Sequence, residues 1–132
     1  MAKTACKILG VVLILVGIVG FFAHNLLGLH LTLVHNIIHL LSGAIALYFG
    51  FVGTSEAAHT FSRIIGVIYL LVGIVGFITP GVIEKIFQTQ ATTESLNLIP
   101  DNIVHLLVGA LFLIVGFLRE PQPAAPKESK VS

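Results

Sequence analysis

From Ile8 to Ser55 the chain carries no Asp, Glu, Lys or Arg, a run of 48 residues. As one helix it would be roughly 72 Å long, against a hydrocarbon core of roughly 30 Å, so it must fold back on itself. The polar cluster His24, Asn25, Gly28, His30 and Thr32 is the natural turn, which predicts spans near 8–23 and 33–52. A second uncharged run covers Ile64–Ile83, with Thr79-Pro80-Gly81 as its stop signal. The last covers Asn102–Leu118. Four rather short spans result.

The apolar pattern is written twice. LGVVLILVGIVGFF at 9–22 matches IGVIYLLVGIVGFI at 65–78, a shift of 56. HNIIHLLSGAIALYFGF at 35–51 matches DNIVHLLVGALFLIVGF at 101–117, a shift of 66. The unit is a two-span hairpin. The expected fold class is an all-α membrane protein: four transmembrane helices in two tandem helical hairpins, 8–52 and 64–118, within a membrane domain spanning 1–118. Each unit has an even number of spans, so both insert the same way, as parallel repeats about an axis along the membrane normal.

Glycine follows the same duplication. Gly10 and Gly17, Gly43 and Gly50, Gly66 and Gly73, and Gly109 and Gly116 are each seven apart. Seven residues are two turns, so each pair shares a helix face. In lipid, small residues let helix backbones approach closely, which makes these positions the expected packing seams.

Composition agrees with the pattern. The chain is 56% hydrophobic and 10% charged, with mean hydropathy +1.04, where soluble domains carry about 25% charged residues. A net charge of +1 leaves no basic stripe for nucleic acid. Cys6 is the one cysteine, so no intrachain disulfide exists. Lys3, Lys7, Arg63, Arg119, Lys127 and Lys130 fall on one side of the spans, and Lys85 lies on the other beside Glu84, Glu94 and Asp101. The positive-inside rule then predicts both termini in the cytoplasm. Residues 119–132 should form a disordered cytoplasmic tail, from their proline and lack of apolar side chains. In the loop 81–101, Val82, Ile83, Ile86 and Phe87 fall on one helical face, which predicts a short helix on the membrane surface.

Polar residues inside such a pattern point to chemistry. Asn36 and Asn102 stand at matching starts of the second and fourth spans, where Asn is a favoured N-cap. His39 and His105 follow three residues later. His35 and His39 share a helix face, as do Asp101 and His105. Brought together across the repeat axis, His35, His39, Asp101 and His105 would make a ligand set for zinc or copper, and His39 with His105 a haem pair. The bland alternative is helix capping and tethering of the two hairpins. No catalytic constellation or phosphate-binding glycine loop occurs, so an enzyme is not expected.

The motifs LVHNIIHLLSG and DNIVHLLVGA resemble the bacterial four-span membrane proteins catalogued as domain of unknown function 4383. The likeness covers roughly residues 8–118. It carries over His35, Asn36, His39 and Gly43, and Asp101, Asn102, His105 and Gly109, as signature positions. The loop at 23–34 is shorter than in many members. The resemblance implies a four-span fold and a membrane location. The leading functional expectation is a non-enzymatic structural or interaction protein of a bacterial cytoplasmic membrane, with the lipid bilayer, further copies of itself or another membrane protein as partners. The alternatives are a metal- or haem-binding sensor and a small-solute carrier.

Overall fold

The computed structural model describes residues 1–87 and 99–118. The expected tail, with Arg119, Lys127 and Lys130, and the loop residue Glu94 lie outside the described residues. The element order is α1 (Ala2–Gly20), β1 (Asn25–Leu26), β2 (Leu29–His30), α2 (Leu33–Phe51), α3 (Ser55–Ile78), α4 (Pro80–Phe87) and α5 (Ile99–Phe117). Helices α1, α2, α3 and α5 are long and apolar enough to cross a membrane. Most of their large apolar side chains point outward, among them Ile8, Leu15, Leu41, Ile64, Leu71, Leu107 and Ile114. Water would not tolerate that surface, and lipid would.

Helices α1, α3 and α5 start earlier than the uncharged runs predict. Helix α1 begins at Ala2 because Lys3 and Lys7 continue it. The Lys7 ammonium reaches 4.7 Å over the Phe51 ring while its stem lies against Gly50, so the charge sits at the helix end and the stem in the bundle. Helix α3 begins at Ser55, where the Thr54 side chain accepts from Ala57 N at 3.1 Å and Glu56 occupies the first turn, good chemistry for a helix start. The loop expected at 23–34 contains a two-residue-strand hairpin with Asn25 opposite His30. Its tip residues Leu27 and Gly28 both have positive φ, 54° and 83°, the requirement of a type I′ turn.

Helix α1 packs chiefly on α2, and α3 on α5. In each hairpin the backbones touch at glycine. A Cβ at Gly43 would lie 2.9 Å from the Gly10 carbonyl oxygen and 2.7 Å from Ile14 Cγ1. At Gly109 it would lie 2.6 Å from Leu70 N and 2.9 Å from the Gly66 carbonyl oxygen. Gly17 and Gly73 meet Leu40 and Leu106 in the same way, and Gly116 meets Arg63. The core between the hairpins comprises Ala2, Cys6, Leu13, Ala46, Ala58, Tyr69 and Phe112. At the end holding the N-terminus, Cys6 Sγ lies 3.5 Å from Ser62 Oγ, and Arg63 Nε donates to the Gly116 carbonyl at 2.7 Å.

The short helix after Pro80 forms as expected, with a different face. Ile83 and Phe87 are buried against Val72 and Val75, whereas Val82 and Ile86 point away. Helix α4 is thus a roof on the bundle, with Ile83 and Phe87, one turn apart, turned into it.

Candidate functional site

Buried polar side chains concentrate at the end beneath α4. Among the described residues, His35, Asn36, His39, Ser42, Asp101, Asn102 and His105 are buried there, and Ser62 near the opposite end. The helix periodicity that turns Leu and Ile outward to lipid turns these inward.

Neither Asn caps its helix in the expected way. The N-cap of α2 is Thr32, whose hydroxyl accepts from His35 N at 3.3 Å. Asn36 lies a turn further in, and Asn102 lies inside α5. Their amides instead lie over glycines of the partner helix: Asn36 fills the space where Gly20 lacks a side chain, and Asn102 does the same at Gly76. Asn36 Nδ2 donates to the Leu31 carbonyl at 3.3 Å, which ties the loop to the bundle. A residue read as ending one helix is therefore joining two.

Three imidazoles converge. The ring centroid of His35 lies 4.4 Å from that of His39 and 5.3 Å from that of His105, and His39 lies 6.2 Å from His105. One nitrogen from each lies within 4.8 Å of the others. Their exposures are 4%, 5% and 6%. His35 Nδ1 faces the His30 carbonyl at 2.9 Å, and His105 Nδ1 faces the Asp101 carbonyl at 2.6 Å. A carbonyl cannot donate, so each Nδ1 bears the proton. That leaves Nε2 with the lone pair in both neutral rings. His35 Nε2 and His39 Nδ1 are buried with no hydrogen-bond partner, as is Asn36 Oδ1 over Gly20. An orphaned buried polar atom costs about 1–3 kcal/mol, so two at one point call for an explanation.

Asp101 does not join the three. Its carboxylate accepts from His30 N at 3.0 and 3.3 Å and from His30 Nδ1 at 2.9 Å. It fixes the β-hairpin loop onto α5. His24, the other histidine of this loop, is exposed.

The surroundings include residues that the sequence pattern did not single out. Tyr69 forms the floor, its ring 5.5 Å from His105 and 6.4 Å from His39, with its hydroxyl 2.9 Å from Ser42 Oγ. Phe87 forms the roof, 4.7 Å from His35, and its carbonyl accepts from Thr32 Oγ1 at 2.5 Å. Tyr69 was findable: it stands where the first sequence copy has Leu13, an unexplained exchange of an apolar residue for a polar-tipped one. Phe87 was legible as part of the apolar face of the short helix, but nothing local placed it over the histidines.

Fold and site together define a small multi-pass helical membrane protein with a buried, histidine-rich centre beneath one end of its bundle. Residues 3–118 match the model of the family described as Domain of unknown function (DUF4383), and the chain belongs to that family. No curated protein and no solved structure matches it.

Proposed function

We propose that this membrane protein binds one transition-metal ion through His35, His39 and His105. The observation that carries this is the pair of unpartnered buried nitrogens, His35 Nε2 and His39 Nδ1, within a three-histidine cluster. The sequence alone puts a structural role first, but a tether needs its polar atoms paired, and these are not. Carbonyls that accept from Nδ1 of His35 and His105 are the usual outer support of metal-binding imidazoles, because they fix tautomer and ring direction. Metal–nitrogen bonds of about 2.0–2.1 Å set ligand nitrogens roughly 3.3–3.6 Å apart. The three nitrogens here lie within 4.8 Å of one another. Three imidazoles suit zinc or copper. Haem does not fit, since the cavity beside the rings is about 50 Å³, far below the volume of a porphyrin. Asp101 is kept for the loop rather than the ion.

The same reading takes the protein to be non-enzymatic, in a bacterial cytoplasmic membrane, with both termini inside and the site near the outer surface. Lys3, Lys7 and Arg63 at one end, against Lys85 at the other among the described residues, support that orientation. The duplicated frame is supported by the core: Ala2 and Ala58, Cys6 and Ser62, and Leu13 and Tyr69 are pairs shifted by 56, and Ala46 and Phe112 are shifted by 66. Matching positions that meet one another are what a twofold axis between hairpins requires.

The test is elemental analysis of detergent-purified protein after exposure to zinc or copper and removal of excess. We expect one ion per chain in the wild type and none in His39→Ala or His105→Ala. A wild type that retains no ion and shows no thermal shift with either metal overturns the proposal.

A further inference from the structure

Beside the three imidazoles lies a cavity of about 50 Å³ lined by Val12, Leu13, Val16, Val104 and Val108. Tyr69 and Asp101 also reach it, but the Tyr69 hydroxyl is bound to Ser42 and the Asp101 carboxylate to His30. The three imidazoles line it as well; a water molecule needs two to four polar partners, and with an ion on the imidazole nitrogens the cavity offers none, so it stays dry and admits apolar guests. One water needs about 10–15 Å³ of such space, so the cavity has room for a few water-sized atoms and therefore for a diatomic molecule.

Charge narrows the ion. Three neutral imidazoles contribute no compensating charge, and Asp101, held by His30, is the one buried carboxylate among the described residues, so at most one positive charge is offset. The cost of placing an ion in a poorly polar interior rises with the square of its charge, so a divalent ion costs roughly four times a monovalent one. Among ions that imidazole favours, the monovalent one is copper(I). Three nitrogen ligands leave copper(I) an open position, and here apolar side chains border it.

We infer that the site holds copper(I) and that its open position, facing the valine-lined cavity, takes a small neutral diatomic gas such as carbon monoxide, nitric oxide or dioxygen. This rests on the metal-binding reading above. Anions are excluded by the lack of a donor, and larger molecules by volume. The route of entry is lateral. Val12 and Val104 line the cavity and are themselves 44% and 38% exposed on the helix surface, so one side-chain layer separates the cavity from lipid. Apolar gases dissolve better in that hydrocarbon than in water, so the membrane itself concentrates the ligand.

The experiment loads the detergent-purified full chain with copper(I) under anaerobic reducing conditions and adds carbon monoxide. Infrared spectroscopy reads the carbon–oxygen stretch of the adduct, and elemental analysis reads copper. We expect one copper per chain and one carbon monoxide per copper. Val104→Phe and, separately, Val16→Phe fill the cavity, and each should lower carbon monoxide affinity at least tenfold with copper retained. Copper retained in the wild type without an adduct overturns the inference, as does an adduct unchanged in both variants. Protein that binds zinc but refuses copper(I) also overturns it while leaving the metal-binding reading intact. Protein that binds neither metal ends both. Should either variant fail to fold, the other decides, and the wild-type spectrum decides without them.

Discussion

The hairpins α1–α2 and α3–α5 carry nearly the same sentence and use it differently at a few positions. Where the first has His35, the second has Asp101. His35 turns inward to His39 and His105, and Asp101 turns outward to His30. The matched residues His39 and His105 both stay in the cluster. Leu13 and Tyr69 diverge similarly, one lining a dry cavity and the other closing its floor through Ser42. A duplicated frame supplies rigid, equivalent positions. Unequal substitutions on it make a site with one open direction instead of a symmetric cage.

The strongest test of that division of labour is to remove each half's contribution. His39→Ala and His35→Ala should abolish stoichiometric metal, read by elemental analysis, whereas Asp101→Asn should keep it. Metal loss in Asp101→Asn equal to that in His39→Ala would return Asp101 to the ligand set and erase the distinction between the hairpins. Because each imidazole must be unprotonated to bind, metal should also dissociate as pH falls, which an equilibrium dialysis series would follow.

Next in size is packing. Gly43→Leu and Gly109→Leu both force a side chain into the facing backbone, at a cost of about 1–3 kcal/mol each. The approach to Leu70 N is the shorter, so Gly109→Leu should lower the detergent melting temperature at least as much as Gly43→Leu. Equal tolerance of Leu at both would mean that the glycine seams do not hold the hairpins closed.

Asp101→Asn returns at the third level, as a loop variant. It weakens a charge-assisted set of hydrogen bonds, each worth about 1.5–3 kcal/mol when intact. Faster hydrogen exchange at His30 and the β-hairpin, with the helices unchanged, is the expected reading. The smallest effect belongs to Thr32→Ala, about 1 kcal/mol for a lost cap. That variant also removes the bond to the Phe87 carbonyl, so exchange in α4 should rise alongside that of the first turn of α2.

The four spans were legible because charge-free length and turn residues have a direct physical meaning in a membrane. Their starts were less so: Lys7 and Arg63 remain inside helices by laying their stems on Gly50 and Gly116, which a search for uncharged runs cannot see. The meeting of His35, His39 and His105 followed from helical spacing together with the duplication. The direction of Asp101 did not, because it depends on where the loop places His30, and that is set by the turn at Leu27–Gly28. Asn36 misled because Asn near a helix start usually caps it. Here Thr32 takes that role, and the amide is claimed by the gap at Gly20.

The roof has a kinetic meaning. Helix α4 packs on α3 through Ile83 and Phe87 and takes the hydrogen bond from Thr32, a smaller contact than that between the paired long helices. Segments with few contacts open at lower free energy than the whole domain unfolds. Exchange of an ion between the centre and the aqueous phase would then be timed by the lifting of one two-turn helix, leaving the four spans in place. A chelator added in excess should strip metal at a rate independent of its own concentration, and Thr32→Ala should raise that rate. Residence time at the site is thus set by a latch the ion never touches.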